Sequence, residues 1–291
     1  MAAGYHSEKI FDLMRAGGFY DNIFARDSSY DRVKEYLLLL GGKRSPRTRH
    51  DLQNPNYPCF PGLEHHPFHD GERPEGVRIL EAAFSSLRRE ILNVPREAYL
   101  TYRPGKDIAG WTVLLIYHMG VNMRALAHYC PETATMITSL PRVCLDYPWG
   151  DALISVFSPQ SSLKPHCSVD NLRLRCHLAV KIPTGCEIRV GRETREWTEG
   201  KALLFEDSIE HEVRNQGDVD RYVLIVDFWH PGLTDVEIAA LTAGFRKSEV
   251  RRIFLHDRLK VTDAPETLHV YLDAEVERQD QDPLIREYWT R

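Results

Sequence analysis

The stretch Asn171-Leu-Arg-Leu-Arg-Cys-His-Leu-Ala-Val-Lys-Ile182 alternates without a break. Leu172, Leu174, Cys176, Leu178, Val180 and Ile182 fall on one face, and Arg173, Arg175, His177, Ala179 and Lys181 on the other. A period of two over twelve residues predicts a β-strand, because successive side chains of an extended chain point to opposite sides. The polar face suits either of two surroundings, solvent or a binding surface, and the pattern by itself does not choose between them.

Working outward, the same texture continues on both sides. Downstream lie Glu187–Val190, Glu196–Thr198, Ala202–Phe205, His211–Val213 and Arg221–Trp229, separated by turn signals at Gly185, Gly191, Gly200, Asp207-Ser208 and Gly217-Asp218. Upstream, Trp111–Tyr117 and Ala152–Phe157 are dense in β-formers. Many short strands with frequent turns predict a sandwich or barrel of jelly-roll type. Helical spacing appears at the flanks: two helices over roughly residues 10–40 broken at Gly17-Gly18, one over Gly76–Val94, one over Arg124–Leu140, and one opening near Thr234. The fold class is therefore mainly β with flanking helices. The expected organisation is an N-terminal helical extension and loop over 1–58, the β domain with its supporting helices over 59–236, and a C-terminal helical and charged extension over 237–291.

Composition narrows the function classes. A net charge of −5 gives no reason to expect nucleic acid or an anionic membrane as partner. No apolar run approaches the length of a membrane span, and the N-terminus lacks the basic and apolar regions of a secretory signal, so a cytoplasmic location is expected. Cysteines 59, 130, 144, 167, 176 and 186 form no CxxC pair and no regular spacing, which argues against a zinc ribbon or a disulfide framework. His65, His66 and His69 cluster in a proline-rich loop, but without a thiolate partner they read as solvated or hydrogen-bonded rather than as a metal site.

Two other histidines stand out. His166 and His211 lie 45 residues apart in strand-like sequence, with Arg221 following. Neutral imidazoles suit iron, and a guanidinium offers a carboxylate two parallel hydrogen bonds. A single histidine at a strand edge is more often structural, so the pair needs its context.

That context is the run from Ser155 through His166, Arg175-Cys-His177, Trp197, Phe205-Glu-Asp-Ser-Ile-Glu-His211-Glu-Val213, Arg221 and Val226-Asp-Phe-Trp-His-Pro231, with weaker matches at Cys59–Leu63 and Gly110-Trp111. It resembles the catalytic domain of the aspartyl/asparaginyl β-hydroxylase family over roughly residues 59 to 236. The resemblance implies a double-stranded β-helix, a cupin-like jelly roll, that binds iron(II) and uses 2-oxoglutarate and dioxygen (O2). It implies His166 and His211 as metal ligands and Arg221, assisted by Ser155, as partner of the distal 2-oxoglutarate carboxylate. Arg175 and His177 would hold the end nearer the metal, and Trp111 would line the same pocket.

The implied reaction couples decarboxylation of 2-oxoglutarate to succinate with hydroxylation of an unactivated C–H bond. Desaturation, cyclisation or halogenation by the same cofactor set is an alternative. A non-catalytic jelly-roll binding protein is an alternative of another class, disfavoured because all the co-substrate positions are intact. The chain shows no helical-repeat region of the kind that presents large protein substrates in family members, so a small molecule, amino acid or short peptide is expected, as in specialised-metabolite biosynthesis.

One position departs from the usual facial triad, which carries a carboxylate two residues after the first histidine. Here the sequence is His166-Cys167-Ser168. The resembled family also lacks that carboxylate, so water is the expected occupant. Asp170 or Asp207 is the alternative third ligand, although Asp207-Ser208 also suits the turn that presents His211.

Overall fold

The computed structural model describes residues 7–43, 51–71, 73–102, 110–259 and 261–289. In chain order its elements are α1 (Ser7–Ala16), α2 (Phe19–Phe24), α3 (Asp31–Leu40), α4 (Glu75–Ala82), α5 (Phe84–Leu92), β1 (Leu100–Thr101), β2 (Trp111–His118), β3 (Val121–Asn122), α6 (Arg124–Ala127) and α7 (Pro131–Ser139). There follow β4 (Ala152–Phe157), β5 (Ser161–His166), β6 (Arg173–Lys181), β7 (Cys186–Val190), β8 (Glu193–Glu196), β9 (Ala202–Phe205), β10 (His211–Asn215) and β11 (Arg221–Trp229). Four helices close the chain: α8 (Asp235–Arg246), α9 (Ser248–Leu259), α10 (Glu266–Arg278) and α11 (Pro283–Trp289).

The strands form two antiparallel sheets. The larger runs β1-β2-β4-β11-β6-β9 with β3 beside β2, and the smaller runs β5-β10-β7-β8. Chain-adjacent strands β5 and β6, and likewise β9 and β10, lie in different sheets, the winding expected of a double-stranded β-helix.

The predicted strand at 171–182 is β6, and its two faces meet different partners. Leu174, Cys176, Leu178 and Val180 join the apolar cluster beneath α4, α5 and α7. The opposite row turns inward, so Arg173 and His177 are buried and Arg175 is half-buried. Neither face of β6 is a solvent face. That settles the two surroundings open to the polar row, because helices cover the outer side of the large sheet and the small sheet covers its inner side. Close approach of α4 to β11 depends on Gly76, where a Cβ would fall 2.4 Å from the Phe228 ring.

Some element boundaries differ from the sequence expectation. The helix expected over Gly76–Val94 is broken at Ala83, and that over Arg124–Leu140 is two helices, the second starting with Pro131 at its first turn, where the missing N–H is harmless. His166 is the last residue of strand β5, a strand absent from the segments read from the sequence. The two terminal extensions pack together. Phe19 of α2 lies against Tyr288 and Trp289, with ring centroids 6.2 and 5.2 Å away, and Arg32 of α3 forks the carboxylate of Glu237 in α8. Among the described residues no helix is long and apolar enough to cross a membrane.

Candidate active site

The small sheet brings the two histidines together. His166 at the end of β5 pairs in register with His211 at the start of β10, and their ring centroids stand 4.1 Å apart. The ladder carries a bulge here: the three residues of β10 from His211 to Val213 oppose four of β5, from Leu163 to His166. In each ring Nδ1 lies 2.9 Å from the carbonyl oxygen two residues back, Lys164 for His166 and Ile209 for His211. A neutral imidazole so held carries its proton on Nδ1 and presents the Nε2 lone pair, which is the ligating tautomer. Burial, followed by the neighbouring His166, pushes the His211 pKa well below its ordinary value, so the ring is neutral.

Both histidines line a cavity with Trp111, Arg175 and Asp207, and with Tyr102, Trp149 and Asp151 on its walls. Behind Trp111 lies a second, buried group. The indole N–H donates to Ser155 Oγ at 3.1 Å, and Arg221 Nη2 donates to the same oxygen at 3.2 Å. With both lone pairs of Ser155 accepting, its own proton is left for a further acceptor. The Arg221 side chain is buried between the rings of Phe157 and Trp197, 4.8 and 5.0 Å from their centroids. Its Nε and Nη1 have no hydrogen-bond partner, and among the described residues no carboxylate pairs with it. Burial lowers its pKa to about 10, still leaving a cation at neutral pH. His177 is equally isolated, with both ring nitrogens unpartnered and its pKa driven well down by burial and then by Arg221. A buried cation and four unsatisfied nitrogens in one place call for an anionic acceptor.

Arg175, expected beside His177, is in the cavity wall but already engaged. Its Nε and Nη2 fork Asp227 at 2.9 and 2.8 Å, and Nε lies 3.3 Å from Asp207. Arg173, deeper in the same row, meets Asp207, Asp227 and Asp170 at 3.2, 3.2 and 3.5 Å. Burial opposes the charge of Arg173, but the three carboxylates together outweigh it and raise its pKa above the ordinary value. Asp207 in turn is raised to about 6, by burial working against Arg173 and Arg175. Of the two alternative third ligands, Asp170 is turned away, bound to Tyr147 Oη at 2.9 Å, the Leu172 amide at 3.1 Å and Arg173. Asp207 lines the cavity but both its oxygens face guanidinium groups. Among the described residues no set of three or more His, Cys, Asp or Glu side chains converges as a metal cage.

Of the loop histidines, His65 has its Nδ1 3.0 Å from Glu206 Oε1 and 3.1 Å from Gln53 Nε2, a hydrogen-bonded setting as read from the sequence. Sequence reasoning passed over the structural role of Asp227 and Asp151. A carboxylate inside the apolar run Val223–Trp229 was the available signal for the first, since a charge so placed must find a buried partner.

A family model described as Aspartyl/Asparaginyl beta-hydroxylase matches residues 78–231. Human aspartate beta-hydroxylase domain-containing protein 2 is 31% identical over 67% of this chain and 55% of its own length. Human aspartate beta-hydroxylase domain-containing protein 1 is 34% identical over 65% of this chain and 51% of its own length. Human aspartyl/asparaginyl beta-hydroxylase is 34% identical over 58% of this chain and 23% of its own length. The chain thus spans about half the length of the first two relatives and less than a quarter of the third.

Proposed function

Since the chain belongs to the aspartyl/asparaginyl β-hydroxylase family, we propose that it is an iron(II)- and 2-oxoglutarate-dependent oxygenase that hydroxylates an unactivated C–H bond. The observation that carries this reading is Arg221: a buried guanidinium with two idle donor atoms, no carboxylate partner among the described residues, and a serine proton beside it. A five-carbon dicarboxylate satisfies that cradle with its distal end, through charge-assisted hydrogen bonds from the guanidinium and the serine hydroxyl.

His166 and His211 would hold the metal through Nε2, with their Nδ1 atoms anchored to the backbone. When bound, iron(II) with 2-oxoglutarate and dioxygen supplies the oxidising power for hydroxylation, the co-substrate leaving as succinate and carbon dioxide. The residues of the chain position and insulate. Ser155 donates its proton to the distal carboxylate, Trp111 holds Ser155 in place and lines the pocket between it and the histidines, and His177 donates as a neutral imidazole. Arg175, whose Nε and Nη2 are taken by Asp227, contributes its remaining nitrogen near the metal end.

The substrate we assign is a small molecule, amino acid or short peptide. The polar and aromatic lining by Asn56, Tyr102, Trp149 and Asp151 supports that class, because it combines a few fixed polar groups with stacking surface. The test is spectroscopic. Anaerobic addition of iron(II) and 2-oxoglutarate is expected to give a visible metal-to-ligand charge-transfer band, and admission of air to give succinate. Absence of both sinks the oxygenase reading.

A further inference from the structure

Asp207 stands in the wall of the cavity that holds both histidines, four positions before His211, yet neither of its oxygens is available there. Arg173 Nη1 lies 3.2 Å from Oδ1 and Nη2 lies 3.3 Å from Oδ2, a two-pronged grip. The same Nη2 donates to Ser168 Oγ at 2.7 Å. Ser168 occupies the position, two residues after His166, where a facial triad carries its carboxylate, and its amide donates to the Asp207 carbonyl at 2.8 Å. One guanidinium edge therefore holds both groups nearest to becoming a third protein ligand.

Arg173 is itself fixed rigidly. Its Nε donates to the Trp149 carbonyl at 2.7 Å, and Asp170 and Asp227 flank it within 3.5 Å. A guanidinium so anchored has no slack to release either group.

We infer that Arg173 is a positioning residue that withholds carboxylate ligation from the metal, so that the two-histidine character of the site is enforced by Arg173 as well as by the serine at 168. The inference rests on the iron reading above. Its consequence is that a carboxylate introduced at 168 is captured by Arg173 before it can reach the metal.

The test compares anaerobic titrations with Fe(II), and with Co(II) as a spectroscopic probe, across three variants. Ser168→Asp alone is expected to bind both metals within about threefold of wild type and to leave the Co(II) d–d bands unchanged. In the charge-balanced background Arg173→Gln/Asp207→Asn, adding Ser168→Asp is expected to tighten binding by about tenfold or more and to shift the Co(II) bands. A tenfold gain from Ser168→Asp alone, with Arg173 in place, overturns the inference, as does absence of any gain in the Arg173→Gln/Asp207→Asn background. Should the triple variant not fold, Ser168→Asp decides: tightening overturns, and unchanged affinity supports. Failure of the wild type to bind either metal in a manner lost in His166→Ala sinks the iron reading itself and is separable from these outcomes.

Discussion

Replacing Arg221 by methionine is expected to leave the ligand-free protein at least as stable as the wild type while abolishing its stabilisation by 2-oxoglutarate. The guanidinium is 1% exposed and no carboxylate among the described residues neutralises it. A buried charge of this kind costs several kcal/mol. The faces of Phe157 and Trp197 and the Ser155 hydroxyl offset part of that, at roughly 1–2 kcal/mol each. Methionine removes the charge and keeps most of the packing volume, so the net change without ligand is expected to lie between zero and a gain of about 3 kcal/mol. For the wild type, 2-oxoglutarate at a hundred times its Kd adds about 2.7 kcal/mol, roughly 5 °C in Tm for a chain of this size. The assay is thermal unfolding with Mn(II) in place of iron, with and without 2-oxoglutarate. The reasoning is refuted if Arg221→Met loses more than about 2 kcal/mol without ligand and still shows the wild-type shift.

His166→Ala and His211→Ala are each expected to abolish iron-dependent succinate formation and the charge-transfer band. Asp170→Ala is expected to retain the band while losing about 3 kcal/mol of stability, since its carboxylate serves Tyr147, Leu172 and Arg173; loss of iron equal to that of the histidine variants would make Asp170 a ligand. Arg221→Lys, which keeps the charge but loses the fork, is expected to raise the 2-oxoglutarate requirement at least about tenfold, and unchanged affinity would remove Arg221 from the site. His69 has its pKa lowered to about 4, chiefly by burial and then by His230, while the unfolded chain titrates near its ordinary value. The unfolded state therefore binds more protons in that interval, and stability contributed by neutral His69 is lost as the pH falls from about 6.5 toward 4. Urea midpoints at pH 7.5 and pH 5 are expected to converge in His69→Asn relative to wild type. Thr234 caps α8 through the Glu237 amide in a reciprocal box, and Thr234→Ala is expected to cost about 1 kcal/mol in the same assay.

The strand at 171–182 was readable because alternation is a local property, written in consecutive residues. Where its polar face points is not local. Arg173 and Arg175 are held by Asp227, Asp207 and Asp151, which arrive from other strands and turns, and no window of sequence contains those pairs. The same reason hid the engagement of Arg175, visible as a cation but not as one already paired. Strand β5 was missed because Ser-Ser-Leu-Lys-Pro-His carries little apolar signal; it lies at the edge of the small sheet, where exposed polar residues and a proline are tolerated. The break before α7 was legible in Pro131, whereas that at Ala83 has no comparable marker. His166, His211, Ser155 and Arg221 could be singled out because their spacing belongs to a known pattern, and the structure brings the first two to one cavity and the last two to one buried cradle.

The bulge in β5 makes the pairing of His166 with His211 a matter of parity. Side chains in a ladder alternate faces, so facing another strand's residue from the same side depends on an even or odd count. From the pairing of Leu163 with Val213, a regular ladder sets Pro165 opposite His211; the additional residue advances the chain by one and brings His166 there instead. At full length but without the bulge, Pro165 would face His211 and His166 would turn to the other side; deleting Lys164 or Pro165 instead restores a regular ladder with His166 still opposite His211. A gap of one residue in this segment of a relative is therefore compatible with the same pairing of the two histidines, provided the bulge is lost with it.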